Sequence, residues 1–107
     1  MKPLIFMGTS LEELKGFPEP ARREAGFDLW QVQMGFMPRD FKPMPIVGPG
    51  CFELRVHVRG EWRVMFCARR AGAVYVLHAF AKKTQATSKG DIEIARRRLG
   101  FVRKLHE

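Results

Sequence analysis

Apolar and polar positions alternate along residues 52–59, where Phe52, Leu54, Val56 and Val58 interleave with Glu53, Arg55, His57 and Arg59. A period of two sends successive side chains to opposite faces of a β-strand, so the segment predicts a strand with one buried and one polar face. Gly60 marks a turn. Trp62, Val64 and Phe66 then alternate with Arg63, Met65 and Cys67 in a second strand, which closes at a turn over Arg69-Arg70-Ala71-Gly72. A third strand is expected from Ala73 to Phe80, apolar on both sides, with Val74, Val76 and Phe80 on one and Tyr75, Leu77 and Ala79 on the other. Such a strand belongs at the centre of a sheet. Short turns make the three antiparallel neighbours, with Arg55, His57 and Arg63 projecting from one polar face.

Helical spacing flanks this block. Residues 2–7 read as a short strand, after which Ser10 and Glu13 have the separation of a capping box and start a short helix that stops at Gly16 and Pro18. From Pro20 a second helix is expected, with Phe27, Trp30, Met34 and Met37 recurring at spacings of three and four as a core-packing stripe. Residues 38–50 hold four of the seven prolines and read as a long connecting loop. At the other end, Thr87-Ser88 offers an N-cap with Asp91 three residues on. Ile92, Ala95, Leu99, Val102 and His106 follow at helical spacing, predicting a helix from 89 to about 106 that lies on the sheet.

The 107 residues suit a single domain spanning 1–107, and no apolar run approaches the roughly 20 residues of a membrane span. Cys51 and Cys67 have no metal-ligand spacing and lie among apolar neighbours, as small buried residues of a reducing compartment do. A cytoplasmic location is therefore expected. Charge changes the picture most. Residues 1–50 carry six basic and six acidic side chains, whereas residues 51–107 carry thirteen and five, so the whole net charge of +8 lies on the second half. That asymmetry suits a polyanionic partner.

No glycine-rich phosphate loop, His-x-x-x-His pair or acidic Mg²⁺ cluster is present, so no cofactor or metal is called for. His57, His78, Arg55, Arg63, Lys82 and Lys83 are instead expected on, or at the ends of, adjoining strands. Metal-free RNA cleavage uses the ribose 2′-hydroxyl as nucleophile and needs a base, an acid and cations on the phosphate, which these residue types can supply. A passive RNA-binding face has the same composition, and the residues alone leave both open.

The blocks Phe52-Glu53-Leu54-Arg55-Val56, Trp62-Arg63-Val64, Val76-Leu77-His78-Ala79-Phe80-Ala81-Lys82-Lys83-Thr84 and Asp91-Ile92-Glu93-Ile94-Ala95-Arg96 together resemble the phage-derived, HigB-like branch of the RelE/ParE toxin superfamily. The resemblance implies an α+β fold, a small RelE-like domain with two N-terminal helices and a C-terminal helix packed on a twisted, mainly antiparallel sheet of about four strands. It also implies the toxin of a type II toxin-antitoxin system, a ribosome-dependent mRNA endoribonuclease silenced by a cognate antitoxin, often a helix-turn-helix protein. Matched by motif, Arg63 would stabilise the phosphate, Lys82 would act beside it, and His57 and His78 are the proton-transfer groups. Arg55, Lys83, Arg59, Arg96 and Arg97 would hold RNA phosphates. The chain departs from many members at Phe66, where a tyrosine is common, and at Glu53, which is basic in some. ParE-like members poison DNA gyrase, so a non-catalytic gyrase inhibitor or RNA-binding protein using the same basic face is the alternative.

Overall fold

An eight-residue strand, β5 (Val74–Ala81), lies between two partners in the sheet, as its two apolar sides require. The computed structural model describes residues 1–68 and 72–105. Around β5 the chain runs β1 (Leu4–Phe6), α1 (Ser10–Lys15), α2 (Glu19–Gln33), β2 (Phe41–Pro43), β3 (Cys51–Val56), β4 (Trp62–Cys67) and, after β5, α3 (Lys89–Leu105). The sheet order is β1-β5-β4-β3-β2, parallel only between β1 and β5. The class is the expected α+β, with five strands in place of about four. The additional strand lies inside the proline-rich segment: Phe41–Pro43 pairs with Phe52–Leu54 at the sheet edge, where a proline without an N–H donor is tolerated. The turn expected at Arg69-Arg70-Ala71 and the last stripe residue, His106, lie outside the described residues.

Both faces of the sheet are covered. On one, Leu14 and Phe17 at and just after α1, and Ala21, Ala25, Leu29 and Val32 of α2, pack on Leu54, Val56, Val64, Phe66, Val74 and Val76. On the other, Ala95, Leu99 and Val102 of α3 pack on Met65, Tyr75, Leu77 and Phe80. Cys51 and Cys67 are cross-strand partners buried in this second layer. Each layer rests on a few large side chains, so Leu29→Ala, at a 1% exposed position, costs about 3 kcal/mol in lost burial and cavity.

Three expectations change. Phe27, Trp30, Met34 and Met37 are 41–48% exposed and form no core stripe. α2 turns its other side inward because Ala21 and Ala25 let the backbone approach the sheet closely, and the buried Asp28 on that side is satisfied by Arg39 at 2.9 Å. Ser10 is not a cap; Thr9 holds the N-cap position, while Ser10 is buried and its hydroxyl donates to the Val76 carbonyl at 3.1 Å. The Ser88–Asp91 cap of α3 does form, with the Asp91 N–H donating to Ser88 Oγ at 3.1 Å.

The third change concerns β5. Met65 pairs with His78 but Phe66 pairs with Val76, which leaves Leu77 as an extra residue in a bulge. Beyond it the alternation slips by one. Ala79 packs with Val74 and Val76 under α1 and α2, while Phe80 joins Tyr75 and Leu77 under α3, so these two exchange the faces that plain alternation assigns them.

Candidate functional site

At one end of the sheet, the strands β3 and β4 and the end of β5 bring the predicted basic residues together. Arg55 and Arg63 are direct cross-strand partners. Two like charges so placed repel unless a counter-charge lies between them. Glu53 supplies it: its Oε1 is 3.5 Å from the Nε of each arginine, and its Oε2 accepts a hydrogen bond from Thr87 Oγ1 at 2.5 Å. Glu53 is 1% exposed and Arg63 only 4%, so the polar face expected on β3 and β4 is largely roofed and Arg63 does not point freely outward. Arg63 Nη1 donates to the Trp62 carbonyl and Nη2 to Glu61 Oε1, both at 3.0 Å.

The loop 57–61 between β3 and β4 turns through Arg59 and Gly60, both with positive φ, at 55° and 123°. It folds His57 and Glu61 together. His57 Nδ1 meets Glu61 Oε1 at 2.8 Å, and Nε2 meets Asp40 Oδ2 at 2.5 Å. These hydrogen bonds, that to Asp40 first, raise the His57 pKa above its ordinary value. Glu61 is held below the usual carboxylate range by His57 and then Arg63. Backbone pairing of Lys82 N–H with the Glu61 carbonyl at 2.8 Å sets the end of β5 beside this loop. Glu61, Arg63, Lys82, Lys83, Thr84 and Gln85 then line an open groove. Neither lysine ammonium has a hydrogen bond or ion pair with the described residues.

His78 lies elsewhere, 5% exposed between α1 and α3. Its Nδ1 is 2.9 Å from Glu13 Oε1 and its Nε2 2.7 Å from Asp91 Oδ1. Arg98 joins the same cluster, donating from Nη1 to Glu13 Oε1 at 2.9 Å and to the Leu77 carbonyl at 3.0 Å. Burial pushes the Glu13 carboxyl upward, but the hydrogen bonds from Arg98, His78 and the Ala79 amide outweigh it and hold the group down at about 2. Arg59 is exposed in the turn, and Arg96 and Arg97 are exposed on α3; none of the three lines the groove. The structure therefore groups Arg55, His57, Arg63, Lys82 and Lys83, and leaves out His78, Arg59, Arg96 and Arg97.

Sequence reasoning missed Glu61, Asp40, Thr87 and the clamping role of Glu53. Glu61 left a faint signal, a carboxylate four residues after a histidine across a glycine turn. Asp40 and Thr87 left none, because they reach the site only through tertiary contacts. Among the described residues no group of three or more His, Cys, Asp or Glu side chains is arranged to hold a metal ion.

The family model described as phage derived protein Gp49-like (DUF891) matches residues 12–100, which includes every residue of the groove and of the His78 cluster. The chain belongs to the phage-derived Gp49-like family. In three dimensions this Gp49-like chain is similar to the E. coli toxin RelE, solved in the free state as a double arginine-to-alanine mutant, with a TM-score of 0.65 over 94% of this chain and 97% of that one. Their sequence identity is 15%, so the likeness is one of fold. No curated protein matches the sequence significantly. No helix among the described residues is long and apolar enough to cross a membrane.

Proposed function

We propose that this Gp49-like chain is the toxin of a type II toxin-antitoxin system, of the HigB-like branch. Its activity is a metal-independent endoribonuclease that cuts mRNA on the ribosome in the cytoplasm, restrained by a cognate helix-turn-helix antitoxin. One observation carries the reading: a guanidinium and two unpaired lysines line one open groove at the basic end of the sheet, and the groove carboxylate Glu61 joins that guanidinium to the His57 imidazole. Arg63, Lys82 and Lys83 offset the charge that builds on a phosphate under attack. The 2′-oxygen forms a bond to phosphorus as the 5′-oxygen bond breaks, leaving a 2′,3′-cyclic phosphate and a 5′-hydroxyl. In this reading the His57 imidazolium gives the departing 5′-oxygen its proton, and Asp40, the carboxylate on its Nε2, is the base.

The test is induced expression in bacteria, with 5′ ends of cellular mRNA mapped within minutes and a Lys82→Ala/Lys83→Ala variant run in parallel. Growth arrest with new, lysine-dependent cuts at codon-phased positions is the expected result. Arrest without cuts would move the target to DNA gyrase or another partner, and neither arrest nor cuts would leave a non-cleaving binding protein.

A further inference from the structure

The guanidinium that anchors this groove is covered by an acid. The Arg63 side chain is 5% exposed, whereas Glu61, which accepts its Nη2 hydrogen bond at 3.0 Å, is 46% exposed. The same Glu61 oxygen meets His57 Nδ1 at 2.8 Å, so one carboxylate oxygen occupies the point where two cationic donors converge. Arg63 Nη1 is committed to a backbone carbonyl, and its buried Nε has no hydrogen-bond partner, facing Glu53 at 3.5 Å. Carboxylate and phosphate oxygens make the same charge-assisted bonds to guanidinium and imidazolium.

We propose that Glu61 is an internal competitor of the substrate phosphate: its carboxylate fills the anion seat formed by Arg63 and His57, and a phosphodiester enters only by displacing it into solvent. This rests on the reading of the groove as an RNA site. The surroundings allow the exchange. The Glu61 backbone is fixed to Lys82 at 2.8 Å, so the side chain alone needs to swing. Buried Glu53 stays beside Arg63 as a counter-charge when Glu61 leaves. Unpaired Lys82 and Lys83 on the rim attract the incoming backbone before the exchange takes place. A weakly charged ligand gains less than a phosphate chain by displacing this carboxylate, so the seat favours a chain of phosphates, whose neighbouring charges the lysines hold.

The experiment is fluorescence anisotropy of a short 2′-O-methyl RNA, which cannot be cleaved, against the full chain at fixed low salt. Glu61→Gln and Glu61→Ala are expected to bind about fivefold tighter, the scale of one exposed ion pair removed. Glu12→Gln, the same charge change at an exposed position on α1, should bind as the parent does. Lys82→Ala/Lys83→Ala should bind more weakly. Unchanged or weaker binding by both Glu61 variants overturns the competitor role. If the lysine variant is still weakened in that case, the groove remains the RNA site; if the lysine variant also binds as the parent does, the RNA reading of the groove falls with it.

Discussion

His57 and His78 are built to one plan. Each imidazole lies between two carboxylates, Asp40 and Glu61 for the first and Glu13 and Asp91 for the second, and each cluster adds an arginine on one of those acids, Arg63 or Arg98. Burial separates them. The His57 side chain is 51% exposed in the loop between β3 and β4, and that of His78 is 6% exposed where α1 and α3 meet the sheet. In low dielectric an ionic network is strong when complete and costly when broken, so the His78 cluster pins two helices to β5 and has no coordination left for a ligand. In water the same set of groups is weak and exchangeable, which is what proton transfer and phosphate entry require. Residue type does not distinguish an exposed, exchangeable histidine cluster from a buried structural one; the covering of neighbouring elements does.

The contrast breaks most severely at Arg63, which belongs to the exposed cluster yet is itself buried. Arg63→Ala takes from buried Glu53 one of its two guanidinium partners and is expected to cost about 3 kcal/mol in urea unfolding as well as to abolish the proposed mRNA cleavage. His78→Ala should cost roughly 2–3 kcal/mol, because Glu13 and Asp91 lose their shared partner, while each molecule that remains folded cleaves at the parent rate. Cleavage normalised to the folded fraction separates these two cases. His57→Gln gives the opposite pattern, a stability change within about 1 kcal/mol and a fall in cleavage of about 10²-fold. A His57→Gln protein as active as the parent would remove His57 from the chemistry.

Acidity sharpens the comparison further. Glu13 has its folded pKa depressed from 4.5 to about 2, so its contribution is present above the unfolded value and is lost as pH falls through 4.5 toward 2. Glu13→Gln should be less stable than the parent at pH 7 and flatter in stability across that acid range, measured by denaturant midpoints. His57 has the opposite sign: its folded pKa is raised, so its smaller contribution is full below 6.5 and is lost as pH rises through the folded value. The smallest effect is spectroscopic. The His57 ring resonances should titrate above 6.5 in the parent, and their midpoint should move back toward 6.5 in Glu61→Gln, less far than in Asp40→Asn.

Periodicity and turn chemistry make β3, β4, β5 and α3 legible in the sequence, since Gly60, Ser88 and the alternating block 52–67 each act within a few residues of themselves. The inward face of α2 was not legible. Its outer stripe of Phe27, Trp30 and Met34 is more hydrophobic than the inner one, and the close approach that favours Ala21 and Ala25 is a property of the packed pair rather than of the helix. At the site, motif spacing pointed to Arg55, His57, Arg63, Lys82 and Lys83, all of which lie at one end of the sheet. It could not indicate that Glu53, Glu61 and Asp40 would neutralise three of them, because Asp40 lies 17 positions from His57 and meets it only after folding, and the pairing of β3 with β4 sets Glu53 and Glu61 against Arg63.

The bulge at Leu77 has a consequence for comparing relatives. A shift of one residue in a strand moves every following side chain to the opposite face. A chain lacking Leu77, and so running β5 as a regular strand, would keep its Ala79 and Phe80 equivalents in these same layers, because the extra residue and the bulge that absorbs it are lost together. An ungapped alignment across this point would then pair residues that share a column and no environment. Positions 74–76 align by their pairing with β1, and those from His78 to Lys83 by counting back from the cap at Ser88. The single gap between them records the geometry of the strand.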